Sequence, residues 1–243
     1  MTKRNYRSDL DFVASGFRAC WQNAKDLLTA SQRLMDGGLP APALSLSVLA
    51  LEELGKLIAI DGLLYATQDD YKSERFDKSL TRHKPKLTDI AVLRHLLRSL
   101  ARADPRYGKE EQFGDALRYA FRDLKGAENA VLREMKDRSL LGLDRLKQRG
   151  FYAEIAGKEA RFITPSGAIS PSLATAVHHL AWRAVTTLDF VLKGGNLERY
   201  LDRARSVRAA LTEKQHQEFE RQARELIARM FGSTDAEASA ASN

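Results

Sequence analysis

Two short runs hold side chains whose types and spacing could do chemistry. The first is Glu52-Glu53-Leu54-Gly55-Lys56, two carboxylates and an amine inside the otherwise apolar run Ala43–Ile60. The second is Arg82-His83-Lys84-Pro85-Lys86, where a histidine has cations on both sides. A charge set among apolar residues must be paired, or its pKa shifts. A histidine beside cations is held neutral and can act as a base. Pro85 turns Lys84 away from helical conformation, so the second run stands at the mouth of a helix. Free N–H groups and the positive dipole end favour an anion there.

The element that must position the first run is a helix over about 42–65. At 100° per residue its apolar side chains cover nearly the whole circumference. Ser45, Glu52 and Lys56 fall within about 40° of one another, and Glu53 lies within about 60° of Lys56. The polar groups therefore form one narrow wedge on a core helix. Glu52 and Lys56 are at i, i+4, in the favourable order for an ion pair. Two readings follow. The wedge is a structural ion pair closing a helix contact, or it is the floor of a polar cleft. Gly55 favours the cleft, because a missing side chain admits another backbone or a ligand.

The other elements are helical too. Phe12, Phe17, Cys20, Ala24, Leu27, Leu28 and Leu34 recur at helical spacing over 9–36, and Gly37-Gly38 end that helix. A polar connection follows, with a short helical turn near 70–80. A third helix starts near Pro85 or Thr88 and presents Arg94, Arg98 and Arg102 as an outer ladder opposite its leucine face. A long fourth helix spans about 111–147, with Gly126 and Gly142 as its weak points. Residues 150–170 form an irregular loop or small hairpin. Helices over 172–192, 196–210 and 212–231 complete an all-α bundle of five to seven helices. Residues 1–231 are expected to be one domain, and 232–243, small and polar, a disordered tail.

The chain has 243 residues, one cysteine (Cys20) and a net charge of +7. No intramolecular disulfide can form, which fits a reducing compartment. No apolar run is long enough to span a bilayer or to act as a secretion signal, so a cytoplasmic, membrane-free protein is expected. From Lys72 to Lys109 there are eleven Lys or Arg against four Asp or Glu, which accounts for the whole net charge. Such a block suits a polyanion, nucleic acid first, or is simply a solvated face. His95, His178, His179 and His216 show no metal-ligand spacing, and neither a metal nor a cofactor is expected.

The run "ALSLSVLALEELGKL", then "RHKPK", then "LKQRGFYAEI" resembles, in this order and over about 12–190, the AbiV family of abortive-infection proteins in the HEPN superfamily. The resemblance implies a HEPN-like bundle with an anti-phage role. It also implies homodimerisation and metal-independent RNA cleavage at the dimer interface. The usual HEPN signature, Arg then four to six residues then His, is absent: Arg75 and His83 have seven residues between them, as do Arg208 and His216. The implied catalytic set is instead Glu52, Glu53, Lys56, His83, Lys84 and Lys86. His83 would act as base or acid, a lysine would stabilise the phosphorane, and Glu52 or Glu53 would orient them. Arg82, Arg94, Arg98 and Arg102 would bind the RNA backbone. Expected partners are RNA, a second copy of the chain and a phage-encoded activator. The competing expectation is a non-catalytic protein that senses a phage protein or binds RNA and blocks translation.

Overall fold

The computed structural model describes residues 10–62, 90–136, 140–156 and 161–210, together with 212, 218 and 221. The expected helical turn at 70–80, the start of the third helix, the 212–231 helix as a unit and the tail lie outside the described residues. So do Arg82, His83, Lys84 and Lys86.

The described chain is an all-α bundle with one small hairpin. Its elements are α1 (Leu10–Asp36), α2 (Pro40–Gly62), α3 (Ile90–Ala101), α4 (Glu111–Met135), a 3-10 turn (Leu140–Gly142) and α5 (Leu143–Phe151). Then come β1 (Glu154–Ala156), β2 (Arg161–Ile163), α6 (Pro165–Ala168), α7 (Pro171–Leu192), a second 3-10 turn (Lys193–Gly195) and α8 (Asn196–Ala210). The two strands pair antiparallel, with Ile155 opposite Phe162. Among the described residues no helix is long and apolar enough to cross a membrane.

Two helices form the centre. α2 packs against α1, α3, α5 and α7, and α7 packs against α1, α2, α3 and α4. One continuous core joins Phe17 of α1, Leu51 and Leu57 of α2, Leu97 of α3, Leu124 of α4 and Leu188 of α7. α2 is apolar around most of its circumference because neighbours cover it on several sides. In α1 the buried stripe is Val13, Phe17, Ala24 and Leu28. Phe12, expected in that stripe, is exposed.

The helix ends follow local chemistry. α1 stops at Gly38, which takes a positive φ of 74°, while the Leu39 amide donates to the Leu34 carbonyl at 2.8 Å. α7 begins with Ser170 accepting from the Leu173 amide and Pro171 in the first turn. It ends where Gly194 and Gly195 both take positive φ. There Asn196, fully buried, donates to Asp104 Oδ2 at 2.8 Å and to the Val191 carbonyl at 3.0 Å. Arg106 also closes on Asp104, through its backbone amide at 2.9 Å and Nε at 3.0 Å. The Arg106 hydrogen bonds hold the Asp104 carboxyl well below the usual carboxylate range against the opposing effect of burial, and Asn196 adds to this. This knot ties the loop after α3 to the α7–α8 junction.

The expected fourth helix needs one correction. It is two helices, α4 and α5, not one. Gly126 stays inside α4, and the helix stops instead at Lys136, which adopts φ 54°, ψ 31° and donates its amide to the Arg133 carbonyl at 3.1 Å. A second turn, ending at Gly142, then starts α5. This break lets α5 leave α4 and pack against α2.

Candidate functional site

The charged wedge of α2 is met by α5. Ser45 donates its hydroxyl to the Lys147 carbonyl at 2.7 Å. Two turns further along α2, Glu52 Oε1 lies 2.5 Å from Lys147 Nζ, and these side chains are only 5% and 4% exposed. Asp144, one turn before Lys147, supplies a second carboxylate oxygen at 2.8 Å. Burial lowers the pKa of the Lys147 ammonium, but the hydrogen bonds and charges of Asp144 and Glu52 outweigh it, so the net direction is up. Lys147 is therefore a buried cation between two acids.

Gly150 makes this approach possible. A Cβ at that position would lie 2.5 Å from the Ala41 carbonyl oxygen and closer still to Ser45 Oγ. Such distances require something to shift, so the α2–α5 contact is close because position 150 has no side chain. Beyond it, Phe151 and Tyr152 are exposed and set edge to face, with ring centroids 6.4 Å apart.

Lys56 has a different partner from the one its spacing suggests. The i, i+4 pair with Glu52 was the expectation; Lys56 instead donates to Glu53, at i−3. This pair sits nearer the surface, with side chains 24% and 14% exposed. The two carboxylates of the motif thus face different cations: Glu52 a buried one from α5, Glu53 a partly exposed one on its own helix. A turn beyond, Asp61 accepts from the Tyr200 hydroxyl of α8 at 2.6 Å. Burial pushes the Asp61 carboxyl up to about 6, against the lowering effect of that hydrogen bond.

In the expected arginine ladder Arg98 and Arg102 are exposed and Arg94 is half-buried. Arg98 lies over the Phe121 ring of α4, 4.9 Å from its centroid. Arg94 is half-buried, with its Nε enclosed and without a hydrogen-bond partner. Arg102 is exposed in the turn after α3. The structure thus brings Glu52, Glu53 and Lys56 together on α2, while His83, Lys84, Lys86 and Arg82 lie outside the described residues.

Sequence reasoning missed Lys147, Asp144 and Gly150 as parts of this site, although "LKQRGFYAEI" contains two of them. A polar nine-residue helix gives no local sign that its lysine is buried. It also passed over a polar cluster on the other side of α2. There the Ser31 and Ser47 hydroxyls lie 2.8 Å apart, and His178 Nδ1 lies 3.0 Å from Ser31 Oγ. This cluster joins α1, α2 and α7. An open cleft of about 450 Å³ between α4 and α7, lined by Asp115, Tyr119, Asp123, Arg183 and Phe190, contains none of the motif residues.

The second helix of this bundle thus carries EELGK, and α5, just ahead of the small hairpin, packs against it. Residues 12–186 match the AbiV family, and the chain belongs to that family of HEPN abortive-infection proteins. No curated protein matches it, and no solved structure does.

Proposed function

We propose that this protein defends against phage by cutting RNA without a metal ion, through attack of a ribose 2′-OH on the adjacent phosphate. The observation that carries this reading is Lys56: a partly exposed ammonium held by Glu53 on a helix otherwise sunk in the core. A cation fixed in advance stabilises the crowded, negatively charged phosphorane better than a mobile one. His83 takes the proton from the 2′-OH, and Lys84 or Lys86 shares the phosphate charge. These residues enter from the family motif. Glu53 orients Lys56, and Glu52, whose carboxylate also meets Lys147 in the core, supports the site from below. Exposed Arg102 and Arg98, with Arg82, are proposed to track the backbone, and half-buried Arg94 contributes from the side. Two copies of the chain would complete the site, in the cytoplasm, and a phage-encoded protein would trigger it.

A second reading, binding of RNA or of a phage protein without cleavage, draws on the absence of the Arg-x4–6-His signature. The deciding experiment incubates purified protein with total RNA in the presence of a chelator, with and without phage lysate. Cleavage gives fragments ending in 2′,3′-cyclic phosphate, and His83→Ala abolishes them. Protection of cells with intact RNA in both arms would favour the second reading.

A further inference from the structure

The cleft between α4 and α7 contains no EELGK residue, and its volume of about 450 Å³ suits a small ligand. On α4, Asp115, Tyr119 and Asp123 follow one another at i, i+4, so the ring stands between two carboxylates. On α7, Arg183 and Phe190 face them, and Phe190 is held by stacking on Phe113, with centroids 5.4 Å apart. Most of the polar lining is engaged within the protein. Asp123 takes Arg183 at 2.7 Å, and Arg183 Nε donates to His179 Nε2 at 2.9 Å. The Thr186 and Thr187 hydroxyls donate to the Arg183 carbonyl. Asp115 gives an oxygen to exposed Arg118 on its own helix, which leaves carboxylate lone pairs for a ligand. Tyr119, beside it, is 56% exposed.

The cleft offers a flat aromatic face beside an acceptor, so its ligand needs a flat face beside donors. Two groups fit: a guanidinium, and a nucleobase with adjacent N–H groups. Charge decides between them. Arg118, Arg122 and Arg183 stand against Asp115 and Asp123, and Arg122 lies 5.5 Å from the Tyr119 ring centroid. Net positive surroundings repel a guanidinium and attract a phosphate. Among the bases, guanine carries two neighbouring donors, N1–H and N2–H2, that one carboxylate accepts together. Adenine and cytosine set a bare ring nitrogen beside the amino group, and uracil flanks its N–H with carbonyls, so each turns a lone pair towards a carboxylate. We propose that this cleft binds a guanine nucleotide, free or unpaired in a strand: the base stacks on Tyr119, Asp115 accepts from N1–H and N2–H2, and Arg118 or Arg122 meets the phosphate. The proposal goes beyond strand cleavage and does not depend on it.

The test measures fluorescence anisotropy of short labelled 2′-O-methyl oligouridylates carrying one central guanine, hypoxanthine or adenine. Such strands lack the 2′-OH that cleavage uses, so failure of the cleavage reading leaves the result intact. Wild type is expected to prefer the guanine strand to the adenine strand about tenfold or more, with hypoxanthine, which lacks the N2 amino group, between them. Asp115→Asn sets a donor beside an acceptor, so the preference passes to adenine. Tyr119→Leu weakens the guanine strand about tenfold through lost stacking. Both side chains are exposed, so both variants keep the fold. Competition by guanosine and adenosine 5′-monophosphates separates the two sources. Matching affinities of the guanosine monophosphate and the guanine strand identify the free nucleotide, and a strand about tenfold tighter identifies RNA; either supports the site. Equal affinity for guanine and adenine in both arms overturns the proposal. So does a guanine preference that survives Asp115→Asn, or unchanged affinity in Tyr119→Leu. Sedimentation in which Tyr119→Leu splits a dimer, with no base preference in the wild type, also overturns it: the cleft is then a face between copies of the chain.

Discussion

Lys147 of α5 and Glu52 of α2, 95 residues apart in sequence, form an ion pair at 2.5 Å that is almost completely enclosed. Taking two charges out of water costs much of what their attraction returns, so such a pair adds little over a well-packed apolar pair. Removing one partner is different, because it leaves a charge in the core. Glu52→Ala or Lys147→Met should destabilise the fold by about 3–5 kcal/mol, and Glu52→Leu/Lys147→Met by far less. Urea unfolding of the three variants checks this. Equal losses for the single and double variants would mean the pair contributes through packing alone.

Gly150 should tolerate no side chain. A Cβ would meet the Ala41 carbonyl oxygen and Ser45 Oγ, and the carbonyl is backbone that cannot swing aside. Gly150→Ala is therefore expected to lose about 1–3 kcal/mol by overpacking, despite the gain in helix propensity that alanine brings. Gly126→Ala is the control: its Cβ meets nothing within 4 Å, and it should stabilise slightly. Thermal melts of the two variants should shift in opposite directions.

Two half-buried groups give the stability a pH dependence of opposite sign. Burial pushes the Asp61 carboxyl up to about 6 in the fold against 3.8 when free, so its stabilisation is present below pH 3.8 and lost as pH rises through about 6. Asp61→Asn should flatten that limb and raise stability at neutral pH by roughly 3 kcal/mol at most. Burial, with a smaller effect from His179, lowers the His178 imidazole below its ordinary 6.5, partly offset by Asp36. Its stabilisation is present above 6.5 and lost as pH falls through the lowered value. His178→Asn should remove that second limb. Denaturant unfolding from pH 4 to 8 separates them.

Much of this architecture is legible in the sequence. The Gly37-Gly38 and Gly194-Gly195 pairs stop α1 and α7 because both need backbone that only glycine adopts easily. The wedge on α2 follows from its 3.6-residue period, and Ser45 and Glu52 do share one neighbour, Lys147. What local pattern misses is set by tertiary packing. Lys136 ends α4 in a left-handed conformation with no glycine to announce it, while Gly126 stays helical. Lys147 looks like a surface lysine in "LDRLKQRGF" and becomes buried only because α2 brings two partner-seeking features to it.

The central claim is that Lys56 supplies fixed positive charge to a phosphodiester being cut. The direct measurement is the cleavage rate of a defined RNA in chelator by wild type and Lys56→Ala, at matched folding by circular dichroism. The account predicts cleavage to 2′,3′-cyclic phosphate by the wild type and about a 100-fold slower rate for Lys56→Ala, the size expected on losing one preorganised electrostatic contact. Equal rates for the two proteins would contradict it.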